Sequence, residues 1–171
     1  MTQKIELDRL RDVLDYTPET GVFTWKKRSG NNTYSVGDTA GSINSNGHRQ
    51  IQINSKRYLS HRLAWLYVYG NFPFLQIDHI NRDRGDNRLI NLRLATQEEN
   101  QKNVSLRRDN TSGYKGVSWC KNRKMWHSQA RINGKNKSLG YYITPQLASQ
   151  AYNTFCEISH GKFYNNTTVK I

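Results

Sequence analysis

Apolar positions along this 171-residue chain change their period several times, and each change predicts an element. From Lys4 to Tyr16, Leu7, Leu10 and Leu14 recur at helical spacing with Pro18 just beyond, which predicts a short amphipathic helix. From Gly21 to Leu59 the pattern shortens to strands. Val22-Phe23-Thr24-Trp25 and the alternating Arg49-Gln50-Ile51-Gln52-Ile53 stand between the turn signals Gly37-Asp38, Gly41 and Asn46-Gly47. Tyr58 to Tyr69 returns to helical spacing, with Leu59, Leu63, Leu66 and Tyr67 on one side and Gly70-Asn71 as a stop. Pro73 then breaks the chain before the strand-like Leu75-Gln76-Ile77. Asn81 to Asn91 is polar loop, and Leu92-Arg93-Leu94 predicts a second brief strand.

Thr96-Gln97-Glu98-Glu99 has the form of a capping box, in which a threonine hydroxyl and a glutamate three residues on satisfy each other's backbone amides. A helix is therefore predicted to begin near Gln97, with Asn100 in its first turn and Asn103 one turn further along. Gln101 to Ser112 is polar and basic and reads as a linker. Beyond it, Gly116-Val117-Ser118-Trp119, Met125 to Ile132 and Lys137 to Tyr142 predict three strands, the last two joined by the hairpin signal Asn133-Gly134. Thr144 followed by Pro145 opens a helix whose apolar face is Leu147, Ala148, Ala151, Tyr152 and Phe155.

Charge sharpens this picture. The formal net charge is +13, which makes a polyanion the leading partner class. Residues 1–100 hold 14 Lys/Arg against 11 Asp/Glu, and residues 101–171 hold 12 against 2. The second part is thus the main electrostatic grip, while the first keeps carboxylates that can serve chemistry. Cys120 and Cys156 form no CxxC pair, which argues against a zinc ribbon and against a secreted disulfide framework. With no signal-like apolar run and no span of 18 apolar residues, a soluble cytosolic protein with no membrane partner is expected.

The densest chemistry lies in Asp78-His79-Ile80-Asn81-Arg82-Asp83, continuing to Asn87, Asn91 and Asn100. A carboxylate beside a histidine, a polar loop and an asparagine one turn into a helix can together hold one hard divalent metal and activate one water beside a phosphate. Asp-His pairs are common by chance, and loop asparagines usually serve turns; the order and spacing of the set carry the reading. His61 lies on an apolar helix face and reads as a packed histidine rather than a ligand.

His61-Arg62-Leu63-Ala64-Trp65, then Asp78-His79-Ile80, Asn87 and Asn91-Leu92-Arg93, resemble the HNH nuclease family over residues 58–103, and in particular its subgroup encoded in phage genomes and introns. The resemblance implies a strand–strand–helix metal motif at about 75–104. His79 would be the general base, an imidazole titrating near working pH, and Asn91 would hold the loop and the ring. Asp78 and Asn100 would be oxygen ligands to a single Mg²⁺ or Mn²⁺. Many members of the family carry a second histidine where this chain has Asn100; the His-Asn-Asn pattern is similar to the nicking branch and speaks against a nitrogen-rich zinc site.

Residues 112–164 resemble the plant Apetala-two/ethylene-response-factor DNA-binding domain in Gly113-Tyr114-Lys115-Gly116-Val117, Trp126, Ala130-Arg131-Ile132, Leu139-Gly140-Tyr141-Tyr142, Ala148 and Ala151-Tyr152. The resemblance implies a small sheet that can enter the major groove of double-stranded DNA. Alternation along the strands assigns Lys115, Ser118, Lys121, Arg123, Lys124, His127, Gln129, Arg131 and Lys137 to its outer side, with Trp119 and Trp126 packing on the backbone or beneath the helix. Lys26, Lys27, Arg28, Arg82, Arg84 and Arg93 are further expected phosphate contacts in the first part.

The expectation is an α+β protein. A nuclease domain occupies 1–104, a linker 105–111 and a three-stranded antiparallel sheet with one helix 112–171. It would act as a monomer in the cytoplasm of a phage host, need no protein partner and nick DNA at selected sites to leave 5′-phosphate and 3′-hydroxyl ends. A non-catalytic DNA-binding regulator on the same scaffold is the alternative.

Overall fold

The computed structural model describes residues 5–27, 34–103, 106, 109–132 and 134–160, so the expected phosphate contact Arg28 lies outside the described residues. The fold is mixed α and β, and the chain divides into two compact units, Met1–Asn100 and Gln101–Ile171.

In the first unit, α1 (Leu7–Val13) is followed at once by β1 (Leu14–Thr17), which pairs antiparallel with β2 (Val22–Trp25). Helical spacing predicted a helix through Tyr16, but it stops three residues earlier. Along β1 Leu14 and Tyr16 are buried while Asp15 and Thr17 are exposed, and pairing with Trp25 and Phe23 gives both apolar side chains a place in the core. Tertiary pairing overrides a local period in such a case. A three-stranded antiparallel sheet follows from β3 (Ser42–Ile43), β4 (Arg49–Ile53) and β5 (Lys56–Leu59), in that spatial order. Its last strand takes Tyr58 and Leu59 from the predicted helix, which begins at Ser60 as α2 (Ser60–Tyr69). Gly70 ends that helix at φ 80°, a left-handed conformation that glycine adopts without cost.

Two short strands, β6 (Gln76–His79) and β7 (Leu92–Ala95), then pair antiparallel and lead into α3 (Gln97–Lys102). The capping box forms: the Thr96 amide donates to Glu99 Oε2 at 2.8 Å, and the Glu99 amide donates to Thr96 Oγ1 at 3.2 Å. Leu10, Val13, Leu14, Phe23, Ile51 and Leu63 are among the side chains of the unit's core, which continues through Ile77 and Leu92 to the base of the β6–β7 hairpin.

The second unit is an antiparallel sheet, β8 (Val117–Cys120), β9 (Met125–Ile132) and β10 (Lys135–Tyr142), with β9 central, and α4 (Pro145–His160) packed on it. Thr144 caps the helix, its Oγ1 accepting from the Leu147 amide at 3.3 Å. The small core is Ala130, Tyr152 and Cys156, with Leu139 and Phe155 packed against it. Gly116, at φ +71°, allows the Tyr152 ring to lie where a Cβ would be, 2.1 Å from the nearest ring carbon. No helix among the described residues is long and apolar enough to cross a membrane.

Candidate active site

The β6–β7 hairpin brings Asp78 opposite Arg93 and His79 opposite Leu92. Asp78 is 4% and His79 5% exposed, so both polar groups need partners inside the protein. Asp78 Oδ2 accepts from Arg93 Nε at 2.8 Å and pairs with its second guanidinium nitrogen at 2.7 Å. Arg93 was expected on DNA; its guanidinium is instead committed to this carboxylate, with only 15% of the side chain exposed.

His79 Nε2 lies 3.3 Å from Asn87 Oδ1. The Asn87 Nδ2 donates to the Gly85 carbonyl at 3.0 Å, which turns its oxygen toward the ring. The ring nitrogen facing Asn87 therefore carries the proton. Asn91, expected to hold both loop and ring, spends its amide on the loop. It accepts from the Asn81 amide at 2.9 Å and donates to the Asp86 carbonyl at 2.8 Å, closing the segment between them. Asn87, rather than Asn91, turns its side-chain oxygen to the ring.

What holds Asn87 comes from the other end of the unit. Tyr16 Oη donates to the Asn87 carbonyl at 2.8 Å in a buried contact, and the Leu89 amide donates to the Pro18 carbonyl at 3.0 Å. Gly21, at φ +72°, lies so close that a Cβ would sit 2.3 Å from the Arg88 nitrogen. The turn between β1 and β2 thus clamps the loop from below. Burial pushes the Tyr16 hydroxyl well above its ordinary pKa, which keeps it protonated as a donor. Within the loop, Asp86 accepts from Arg88 and Asn81, and the Arg88 hydrogen bond above all holds its carboxyl down at about 2.

Asn100, in the first turn of α3, donates from Nδ2 to Gln76 Oε1 at 2.8 Å. Gln76 and Asp78 are two positions apart on β6 and so point to the same side of it.

Two histidines not assigned to the site from the sequence stand beside His79. The rings of His48 and His61 lie 5.6 and 5.0 Å from it, centroid to centroid, and 5.1 Å from each other. Burial pushes all three pKa values down; for His61 burial, followed by the neighbouring His79 and His48, takes it to about 3. At His79 burial outweighs the opposing pull of Asn87 and of the Asp78, Asp86 and Asp83 carboxylates. His48 Nδ1 and His61 Nδ1 are buried without a hydrogen-bond partner. His61 was visible in the sequence as part of the lead-in to the motif; nothing in the sequence singles out His48.

The remaining expected contacts divide. Lys27 forms an ion pair with Asp12, Lys26 is exposed, and Arg84 donates to the Asn46 carbonyl at 3.0 Å, tying the loop to the β3–β4 turn. Arg82 adopts φ 67° in the loop. In the second unit Ser118, His127 and Tyr141 are in register across the sheet, as are Gln129 with Ser138 and Arg131 with Asn136. These residues alternate with the buried Ser128 and Ala130 and therefore face away from α4. Tyr141 is stacked with His127 at 4.6 Å and has the Arg123 guanidinium over its ring at 4.6 Å. Lys137 was expected on that side too, but it is in register with the buried Ala130, and its ammonium lies 4.9 Å from the Phe155 ring of α4. Trp119 and Trp126 are in register with each other on the same side as Val117 and Ser128, their rings 5.1 Å apart. Lys115 is half-buried, and Lys121 and Lys124 are exposed in the segments flanking β8.

Residues 58–102 match the family model of the HNH endonuclease. Over 104 residues the chain is 36% identical to Protein 3.8 of Escherichia phage T7, a match covering 60% of this chain and 85% of that protein. A solved structure on DNA binding and cleavage by the HNH homing endonuclease I-HmuI aligns with a TM-score of 0.42 at 23% identity, covering 58% of this chain and 55% of that one, little more than half its length.

Proposed function

We infer that this chain, which belongs to the HNH endonuclease family of DNA-cutting enzymes, nicks duplex DNA at selected sites by metal-dependent hydrolysis. The observation that carries the reading is the buried His79 ring, oriented by Asn87 Oδ1 and adjacent in sequence to a carboxylate held by Arg93. With a proton on Nε2, the imidazole acts as base through its other nitrogen. It takes a proton from water as the water oxygen bonds to phosphorus and the bond to the 3′-oxygen breaks; that oxygen takes up a proton from solvent, and 5′-phosphate and 3′-hydroxyl ends result. Burial keeps the ring neutral below the ordinary histidine pKa, the state a base needs.

The donor chemistry fits a hard divalent cation. Asp78 contributes carboxylate oxygen; Asn100, its Nδ2 spent on Gln76, has its carbonyl oxygen to offer, from a contact on the side of β6 that Asp78 shares. Mg²⁺ or Mn²⁺ held there would supply positive charge beside the phosphate and the departing oxygen. Asn91 and the β1–β2 turn keep the loop closed, so the ring is placed before substrate arrives.

The second unit is read as an Apetala-two/ethylene-response-factor-like reader of double-stranded DNA. Ser118, His127, Gln129 and Arg131 on its open face would reach base edges and phosphates, with Arg123 and the exposed lysines adding phosphate contacts. One nuclease site with one attached reader supports a monomer that cuts one strand in the cytoplasm of a phage host.

The test is conversion of supercoiled plasmid carrying phage DNA, run with Mg²⁺, Mn²⁺ or EDTA, for the native chain and His79→Ala. Open circles that need metal and vanish in the variant support the reading. Linear product moves it to double-strand cutting. Plasmid that is retarded but uncut with every metal makes the chain a DNA-binding regulator instead.

A further inference from the structure

We propose that His48, His61 and His79 form a second metal site, one that takes a borderline transition ion such as Zn²⁺ and is chemically separate from the oxygen pair Asp78 and Asn100. The three residues come from distant parts of the first unit: the turn before β4, the first turn of α2 and the end of β6. Each offers one ring nitrogen, and these three atoms all lie within 4.8 Å of one another. Around tetrahedral zinc, with metal–nitrogen distances of about 2.0–2.1 Å, ligand nitrogens sit roughly 3.4 Å apart. The set therefore needs to draw in by little more than 1 Å. His48 is the half-buried member, on a turn, and has the most room to make that movement.

The second observation is the missing hydrogen bonds. His48 Nδ1 and His61 Nδ1 are both buried and unpartnered, and buried polar nitrogens are otherwise almost always satisfied. A metal bound among the three imidazoles would give these rings a partner that the surrounding protein does not supply. The donor set also selects the ion. Neutral nitrogens suit Zn²⁺, Co²⁺, Ni²⁺ or Cu²⁺ and are poor ligands for Mg²⁺, so the two sites sort their metals by chemistry. Asp83, which forms no ion pair among the described residues, is the carboxylate near His79 that can offset the charge of an ion; Asp78 and Asp86 are paired with Arg93 and Arg88, and Arg62 and Arg84 also lie close. Three protein ligands leave one position open for water. A His79 nitrogen held on such an ion is withdrawn from proton transfer, so Zn²⁺ slows cutting; this consequence rests on His79 being the base, whereas the binding does not.

The experiment uses the full chain and titrates it with Co²⁺, followed by visible absorption, and with Zn²⁺ by calorimetry. The native protein, His48→Gln and Asp78→Asn are compared, with near-ultraviolet dichroism to verify folding. One ion per chain, an affinity reduced about tenfold or more in His48→Gln and retained in Asp78→Asn, is the expected result. Absence of binding, equal binding in His48→Gln, or loss only in Asp78→Asn overturns the proposal, the last by placing the ion at the oxygen pair. Plasmid nicking in Mg²⁺ with and without Zn²⁺ separates the two readings. Zn²⁺ that binds as expected yet leaves the native rate untouched keeps the site and removes His79 from the chemistry.

Discussion

The two units handle their polar residues in opposite ways. In the first, Asp78, His79, Asn87 and Asn91 are all buried and hydrogen-bonded within the β6–β7 hairpin and its loop, which Tyr16 ties to the rest of the unit through the Asn87 carbonyl. In the second, Gln129 and Arg131 stand exposed on a sheet whose other side carries a small core that includes Ala130, Tyr152 and Cys156. The first unit carries a near-balance of charge and the second most of the excess of Lys/Arg. Chemistry on a phosphate needs groups placed before the substrate arrives, and burial with full hydrogen bonding provides that placement. Recognition of a long polyanion draws on exposed charge that exchanges counterions, and rigidity matters less there.

Substitutions in each unit can break this contrast. The largest effect is expected for His79→Ala, which should lower the cutting rate about 10³-fold while leaving retardation of duplex DNA in gels nearly intact. A variant that lost binding equally would erase the division of labour. Gly21→Ala comes next. It pushes a methyl into the Arg88 and Asn87 backbone at a positive φ, so a cost of about 2–3 kcal/mol is expected, read by chemical denaturation, together with slower cutting. Unchanged activity there would mean that the clamp is not what positions the loop.

On the other side of the contrast, Arg131→Ala should weaken DNA binding by about 1–2 kcal/mol with no change in stability, and if the side chain meets a phosphate the slope of log affinity against log salt should fall by about 1. Tyr16→Phe removes one buried hydrogen bond to Asn87 and should cost about 1 kcal/mol, with cutting affected more than binding. The smallest effect near neutrality is the pH dependence from His61. Its folded pKa is about 3, below the ordinary 6.5, so between those values the unfolded chain binds a proton that the native state refuses. Stability should be complete above pH 6.5 and fall as the pH drops toward 3. Denaturation midpoints at pH 7, 5 and 4 check this, and His61→Gln should flatten the slope.

Elements with strong local signals were legible. The capping box at Thr96 and Glu99, the Thr144-Pro145 helix start and the strands around Asn133-Gly134 depend on neighbours within a few residues, and the structure has them. The switch from helix to strand at Leu14 was not legible, since its spacing suits either and the partner that decides is Trp25. Lys137 was misplaced for a similar reason: its register opposite Ala130 puts it on the helix side, and the irregularity between Ser138 and Gly140 interrupts strict alternation along β10.

The candidate site divides along the same line. The order Asp78, His79, Asn87, Asn91, Asn100 names the chemistry because residue type and spacing are properties of the chain. Which oxygen faces the His79 ring, which cation neutralises Asp78, and the meeting of histidines from positions 48, 61 and 79 are properties of packing. Those contacts, and the Tyr16–Asn87 hydrogen bond beneath them that spans 71 residues, are encoded by no local preference. They follow from where two hairpins, one helix and their shared apolar core bring the backbone together.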